Sequence, residues 1–142
     1  LDIGIQSVFD AVRAGVDALP KTAPWRERFR VALHAHLASL FQLGDYTSAN
    51  IRVFGQAPDH IHERHMRIRR AYEDYWRDMY REAQASGEIR GDLDLTALRL
   101  LVFGAMNWAV EWYRPGRESI AKLAQEYMEI LCDGTKPEKA TK

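Results

Sequence analysis

The stretch Asp94–Gly116, DLTALRLLVFGAMNWAVEWYRPG, constrains the fold more than any other part of this chain. It runs for about twenty residues without an internal proline and stops where Pro115 and Gly116 forbid further helix. At 100° per residue, Leu98, Val102, Ala105, Ala109 and Trp112 share one side. Leu100, Gly104, Asn107 and Glu111 lie opposite, with Phe103 and Val110 beside them. Only Arg99, Asn107 and Glu111 interrupt an otherwise apolar cylinder. A helix that is apolar nearly all round is buried all round. A chain of 142 residues rarely encloses such a helix by itself. The pattern therefore predicts core against one face and a second subunit against the other.

Hydrophobic residues make up 46% of the chain, enough for one globular domain with a real core. Lys+Arg and Asp+Glu are equal at 20 each, and phosphate binding needs clustered positive charge, so the balance argues against a large nucleic-acid footprint. The single Cys132 excludes an intramolecular disulfide and any cysteine-based metal cluster, and points to a reducing, cytoplasmic compartment. No apolar run reaches membrane-spanning length, and no signal peptide is present. Leu1 is not a methionine, and helical periodicity begins at once, as in a chain entered in mid-helix.

Taken in order, Leu1–Leu19 sets Ile5, Val8, Phe9, Val12, Val16 and Leu19 on one stripe, ended by Pro20. Pro24 opens a second helix to about Leu43, with Trp25, Phe29, Leu33, His36 or Leu37, Leu40 and Leu43 inward and Gly44 as its stop. Asp45 is placed to cap a short third helix through Ile51 and Phe54, closed by Gly55. Pro58 starts a long helix to about Ser86, with Gly87 as its stop, roughly 43 Å at 1.5 Å per residue. Its inward stripe is Ile61, His65, Ile68, Tyr72, Tyr75, Trp76, Met79 and Ala83. Its outer face offers Glu63–Arg67, Arg69–Glu73 and Arg70–Asp74 at four-residue separation. After the polar turn GEIRGDLD, Asp94 or Asp92 caps the apolar helix, and a last helix over Glu118–Cys132 buries Ile120, Leu123, Ala124, Tyr127 and Leu131. Residues 135–142 read as a frayed tail. No strand signal or internal repeat appears, so the fold expected is all-α, a bundle of about six helices.

Five histidines invite a metal reading: His34, His36, His60, His62 and His65. His-x-His spacing throws two rings to different sides of a helix, and no acidic residue completes a helical triad, so no metal site is expected. The run HIHERHMRIRR offers Arg64, Arg67 and Arg70 as a phosphate or CoA patch, although a charge run on a long helix is usually its solvated face. Tyr72, Tyr75, Trp76, Met79 and Tyr80 read as core whose polar tips need partners, which also makes them good walls for a mixed apolar and polar ligand. Asn107 and Glu111, four apart on an apolar helix, either orient a ligand or hydrogen-bond within the core or across an interface. Gly104 costs about 1 kcal/mol relative to alanine in a helix, and close approach of another helix or a ligand would account for it. No Gly-rich phosphate loop, catalytic triad or activated cysteine is present, so neither a cofactor nor an enzyme is indicated. An acid–base role for Glu111 with a histidine is the residual enzymatic reading.

The succession PWRERFRVALHAHLASLFQ, RIRRAYEDYWRDMYREAQASGEIRGDLD and LLVFGAMNWAVEWYRPG resembles the C-terminal regulatory domain of TetR/AcrR-family transcriptional regulators. The likeness is strongest to actinobacterial-type members linked to lipid, steroid or acyl-CoA catabolism. It covers Leu1–Gly134, and its most specific pieces are GEIRGDLD and GAMNWAVEWYRPG. The resemblance implies a ligand-binding and dimerisation domain over 1–134, with 1–19 as the connector from an N-terminal helix-turn-helix that this chain lacks. It implies a homodimer joined by a four-helix interface, for which Leu101, Gly104, Ala105, Trp112, Leu123, Tyr127 and Leu131 are the candidates. It implies an effector pocket among His36, Leu40, His65, Tyr72, Trp76, Asn107, Trp108 and Glu111. The effector expected is a small, largely apolar or amphipathic molecule, fatty acyl, steroid-derived or acyl-CoA-like, and DNA is reached only through the missing domain. A small helical ligand carrier without DNA binding is the alternative.

Overall fold

The computed structural model describes residues 2–43, 58–114, 116, 118–135 and 137, and these form five α-helices and no strand. They are α1 (Asp2–Asp17), α2 (Trp25–Leu43), α3 (Asp59–Ala85), α4 (Leu95–Trp112) and α5 (Ile120–Asp133). The short helix expected from Asp45 to Phe54 lies outside the described residues, as do Leu1 and most of the tail.

The ends follow local chemistry. Asp94 caps α4 as expected, its Oδ1 accepting from the Thr96 and Ala97 amides at 2.9 and 3.3 Å. Ser119 caps α5 by accepting from Lys122 N–H at 3.1 Å. Gly87, at φ 78°, closes α3, with Glu88 N–H on Ala83 C=O at 2.9 Å and Gly87 N–H on Gln84 C=O at 3.2 Å. That turn also reaches elsewhere. The Glu88 carboxylate accepts from the Trp25 amide, the first N–H of α2, and so caps a helix that precedes it by 63 residues. Gln84 Nε2 donates toward the carbonyls of Arg90, Gly91 and Leu93, which pins the remainder of GEIRGDLD against α3.

Packing is organised by α2, which lies against α1, α4 and α5, while α3 lies against α1 and α4. At Gly15 the approach of α1 to α2 is close: a Cβ there would stand 3.1 Å from Val31 Cγ1. Val8, Phe9 and Val12 of α1, Trp25, Phe29, Leu33 and Leu37 of α2, and Tyr72, Trp76, Met79 and Ala83 of α3 are buried where periodicity put them. An exposed bidentate pair, Arg26 to Asp133 at 2.6 and 3.0 Å, joins the start of α2 to the end of α5. Exposed pairs of this kind contribute little to stability.

The packing decides one choice that the sequence left open and corrects one expectation. The inward face of α4 is centred on Val102, Met106 and Ala109, with Ala105 and Trp112 at its margin. The small alanine at 105 and the flexible Met106 are equally apolar in sequence, and only the packing of α2 and α3 selects between them. On α3, Arg69 does meet Glu73 at 3.3 Å, but Asp74 turns to Arg77 at 2.9 Å instead of Arg70, and Glu63–Arg67 is not among the ion pairs of the described residues. Glu73 also draws Arg99 of α4 to 3.6 Å, so a tertiary partner competes with the helical ladder.

Candidate functional site

The aromatic residues of α2, α3 and α4 converge on one interior layer. Trp76 stands at its middle, edge-on to Phe29, His36, Tyr72 and Phe103 and tilted against Tyr80, with ring centroids 5.5–6.4 Å apart. Trp25 stacks on Phe29 at 4.7 Å and meets Tyr80 edge-on at 5.5 Å. Such ring pairs add about 0.5–1.5 kcal/mol each beyond their buried area, which fixes the rings in place.

A polar chain crosses this layer. His36 is 4% exposed, and its Nδ1 lies 2.6 Å from the Tyr72 hydroxyl. Its Nε2 lies 3.0 Å from Asn107 Oδ1. Because an amide oxygen only accepts, Nε2 carries the proton and donates to Asn107, and Nδ1 accepts from the Tyr72 hydroxyl. The Trp76 indole N–H lies beside that hydroxyl without reaching hydrogen-bond geometry. Donors and acceptors thus point one way, from the core at Tyr72 to the exposed Asn107 on α4. Burial pushes the His36 imidazole down to about 4, opposed by the bond to Asn107, so it is uncharged at neutral pH. Burial pushes the Tyr72 phenol up.

Of the residues expected to line a pocket, His36, Tyr72, Trp76 and Asn107 are therefore brought together. Leu40 is buried one turn beyond His36, and His65 is half-buried two turns before Tyr72 on the same face of α3. Trp108 and Glu111 are exposed on the outward face of α4, away from the layer. Asn107 itself sits at the boundary between the two faces, and this is why it can serve the interior while the residue after it cannot. Arg67 and Arg70 are exposed on the outer face of α3, as is Arg64. Tyr80, expected as core or ligand wall, belongs to the layer too. Phe103 joins it without having been singled out as a site residue, and its four-residue spacing from Asn107 is the signal that would have found it.

The outward face of α4 is the other unusual surface. Leu100, Leu101 and Trp108 are 58%, 61% and 67% exposed, and Ile130 of α5 is exposed as well. Ala97 and Gly104 lie between the α4 residues. A Cβ at Gly104 would meet nothing within 4 Å, so no neighbour among the described residues requires glycine there. Of the interface candidates, Leu101 and Gly104 lie on this surface, Ala105, Trp112, Tyr127 and Leu131 are half-buried at its margins, and Leu123 is fully buried in the chain's own core. Leu123 thus has no surface to offer a partner. Among the described residues no three His, Cys, Asp or Glu side chains gather as a metal ion would need, and no helix is long and apolar enough to cross a membrane.

The family described as the tetracyclin repressor-like C-terminal domain matches residues 22–135. The chain belongs to that family. The fold agrees with those of solved TetR-type regulators. PfmR from Thermus thermophilus superposes with a TM-score of 0.83 at 16% identity, over 95% of this chain and 72% of that one. SCO3833, a TetR-family member from Streptomyces coelicolor, gives 0.75 at 20% identity over 96% and 69%. The ketosteroid transcriptional regulator KstR2 of Mycobacterium tuberculosis gives 0.74 at 22% identity over 95% and 68%. No curated protein matches this sequence. A tetracyclin repressor-like C-terminal domain is thus built here around an aromatic layer threaded by His36, with one apolar helix face turned outward.

Proposed function

We propose that this chain is the effector-binding and homodimerisation domain of a TetR-type repressor. The observation that carries the reading is the His36 chain: a buried, uncharged imidazole fixed by Tyr72 and Asn107 inside a box of rings. Polar groups inside an apolar aromatic setting are what orient a largely apolar ligand with a polar handle. A fatty acyl, steroid-derived or acyl-CoA-like effector suits such walls. A structural neighbour named as a ketosteroid transcriptional regulator agrees in direction.

Ligand in the layer would press on α1 through Phe9, whose ring is 5.1 Å from Tyr72 and 5.5 Å from Tyr75. In the parent protein α1 would connect to DNA-reading heads, and coupling of about 1–3 kcal/mol would change operator affinity roughly 5–150-fold. The ligand must prefer one arrangement of α1 to the other, since tight binding alone shifts nothing. The exposed Leu100, Leu101 and Trp108 supply the self-complementary face of a two-fold dimer. The role needs no catalytic group.

Native mass spectrometry before and after mild denaturation tests the reading. A dimer that carries a releasable small molecule is the expected result. A monomer with nothing bound, and with no ligand taken up from a lipid extract, would overturn it.

A further inference from the structure

One buried donor in the aromatic layer is left without an acceptor. Three buried groups among the described residues lack a partner in hydrogen-bond geometry on donor atoms of aromatic side chains: Trp25 Nε1, Trp76 Nε1 and the Tyr80 hydroxyl. Trp25 Nε1 faces the sulfur of Cys132, a weak acceptor that suits it. Trp76 Nε1 likewise lies beside the Tyr72 hydroxyl oxygen, which keeps a lone pair after donating to His36. The Tyr80 hydroxyl has no such explanation. Tyr80 is 0% exposed and lies one turn from Trp76 on the same side of α3, with the rings 6.1 Å apart. His36 Nδ1 already takes the Tyr72 proton, and Asn107 Oδ1 takes the His36 proton. A buried donor without an acceptor is costly, so the Tyr80 hydroxyl marks a place where an acceptor belongs.

The charge of that acceptor can also be read. His36 is neutral and already held at both nitrogens. Arg99, the cation whose charge bears on Tyr80, is drawn to Glu73 at 3.6 Å. An anion brought into the layer would lose its hydration and, among the described residues, meet in Arg99 a cation already drawn to Glu73, which is expensive. Resting on the effector-binding reading above, we infer that the ligand presents an uncharged carbonyl oxygen, as in a ketone, ester, thioester or amide, to the Tyr80 hydroxyl. A carbonyl oxygen accepts without bringing a charge or a competing donor. Free carboxylic acids of the same carbon skeleton are excluded at neutral pH.

The test uses the full chain and two carbon skeletons, a straight C11 chain and decalin, each as ketone, carboxylate and plain hydrocarbon. Binding is followed by calorimetry and thermal shift at pH 7.5. The ketone of at least one skeleton should bind roughly five-fold or more tightly than its hydrocarbon, the range of one net hydrogen bond, and its carboxylate should bind more weakly than either. Tyr80→Phe should leave the ligand-free protein as stable as before, because the lost hydroxyl had no partner, and should bring the ketone to within about two-fold of the hydrocarbon. A carboxylate that binds as well as its ketone overturns this inference and leaves the effector-binding reading standing. So does a Tyr80→Phe variant that is less stable without ligand and keeps the ketone preference, which would make the hydroxyl a structural group. If no probe of either skeleton binds, both readings fall.

Discussion

The His36 and Tyr72 rings lie parallel to within 4°, with Nδ1 and the hydroxyl oxygen 2.6 Å apart, and this one contact joins α2 to α3 through the middle of the core. Its counterpart from Nε2 to Asn107 joins α2 to α4 at the edge of the protein. The two bonds are alike in chemistry and unlike in exposure, and exposure decides what losing each one costs.

Tyr72→Phe leaves His36 Nδ1 buried without a donor, and should destabilise the fold by about 1–3 kcal/mol in urea unfolding. Asn107→Ala opens Nε2–H toward solvent, where water replaces the amide, and should cost well under about 1 kcal/mol. Equal losses, or a larger loss for Asn107→Ala, would mean that the polar chain is not graded from core to surface.

The same burial makes stability depend on pH. His36 is depressed from 6.5 to about 4 in the folded protein, so between those values the unfolded chain binds a proton that the folded chain does not. Stability is therefore full above pH 6.5 and falls as pH is lowered toward 4. Between about pH 6.5 and about pH 5 the loss should be roughly 2 kcal/mol. The lowered carboxylates Glu27, Asp92 and Asp133 act only below this window, because their unfolded values are 4.5 or less. Unfolding free energies at half-unit intervals should give a clear slope in the parent chain and a flat one in His36→Gln. A slope that survives in His36→Gln would assign it to other groups.

Glu88 should matter to α2 although it belongs to the turn after α3. Glu88→Ala removes the acceptor for the Trp25 amide and should cost about 1 kcal/mol, whereas Glu88→Gln retains an acceptor oxygen and should cost less. Amide exchange at Trp25 reports the effect directly, and protection unchanged in Glu88→Ala would show that the cap does not hold in solution.

The outward face of α4 gives a separable prediction. Leu101→Glu and Trp108→Glu change residues that are 61% and 67% exposed in the single chain, so helicity should be unchanged while a dimer is lost by light scattering. Gly104→Ala should raise the stability of the isolated subunit by up to about 1 kcal/mol, since its Cβ meets nothing. Both glutamate variants remaining dimeric would move the interface elsewhere.

Burial stripes were legible because they depend on periodicity alone: Phe29, Leu33 and Leu37 on α2, or Tyr72, Trp76 and Ala83 on α3, announce their side of the helix by spacing. Caps were legible where they are local, as at Asp94 and Gly87. What could not be read is any choice that a distant segment makes. His36 and Asn107 are 71 positions apart, and nothing near either residue names the other. The rotation of α4 that favours Met106 over Ala105 and turns Trp108 outward is set by the helices beside it. The swap of Asp74 from Arg70 to Arg77 is different in kind, a local competition between two neighbours of equal sequence merit on one helix.

Phe9 stands near the midpoint of α1, with the layer's Tyr72 pressed against its ring. Each half of that helix extends roughly 10 Å beyond this fulcrum. A tilt of about ten degrees, small enough for the rings to follow without repacking, would sweep the end at Asp2 through roughly 2 Å. In the coupling proposed above, the phenylalanine is the pivot and α1 the lever arm on which a sub-ångström change at a buried phenol becomes a displacement large enough to read.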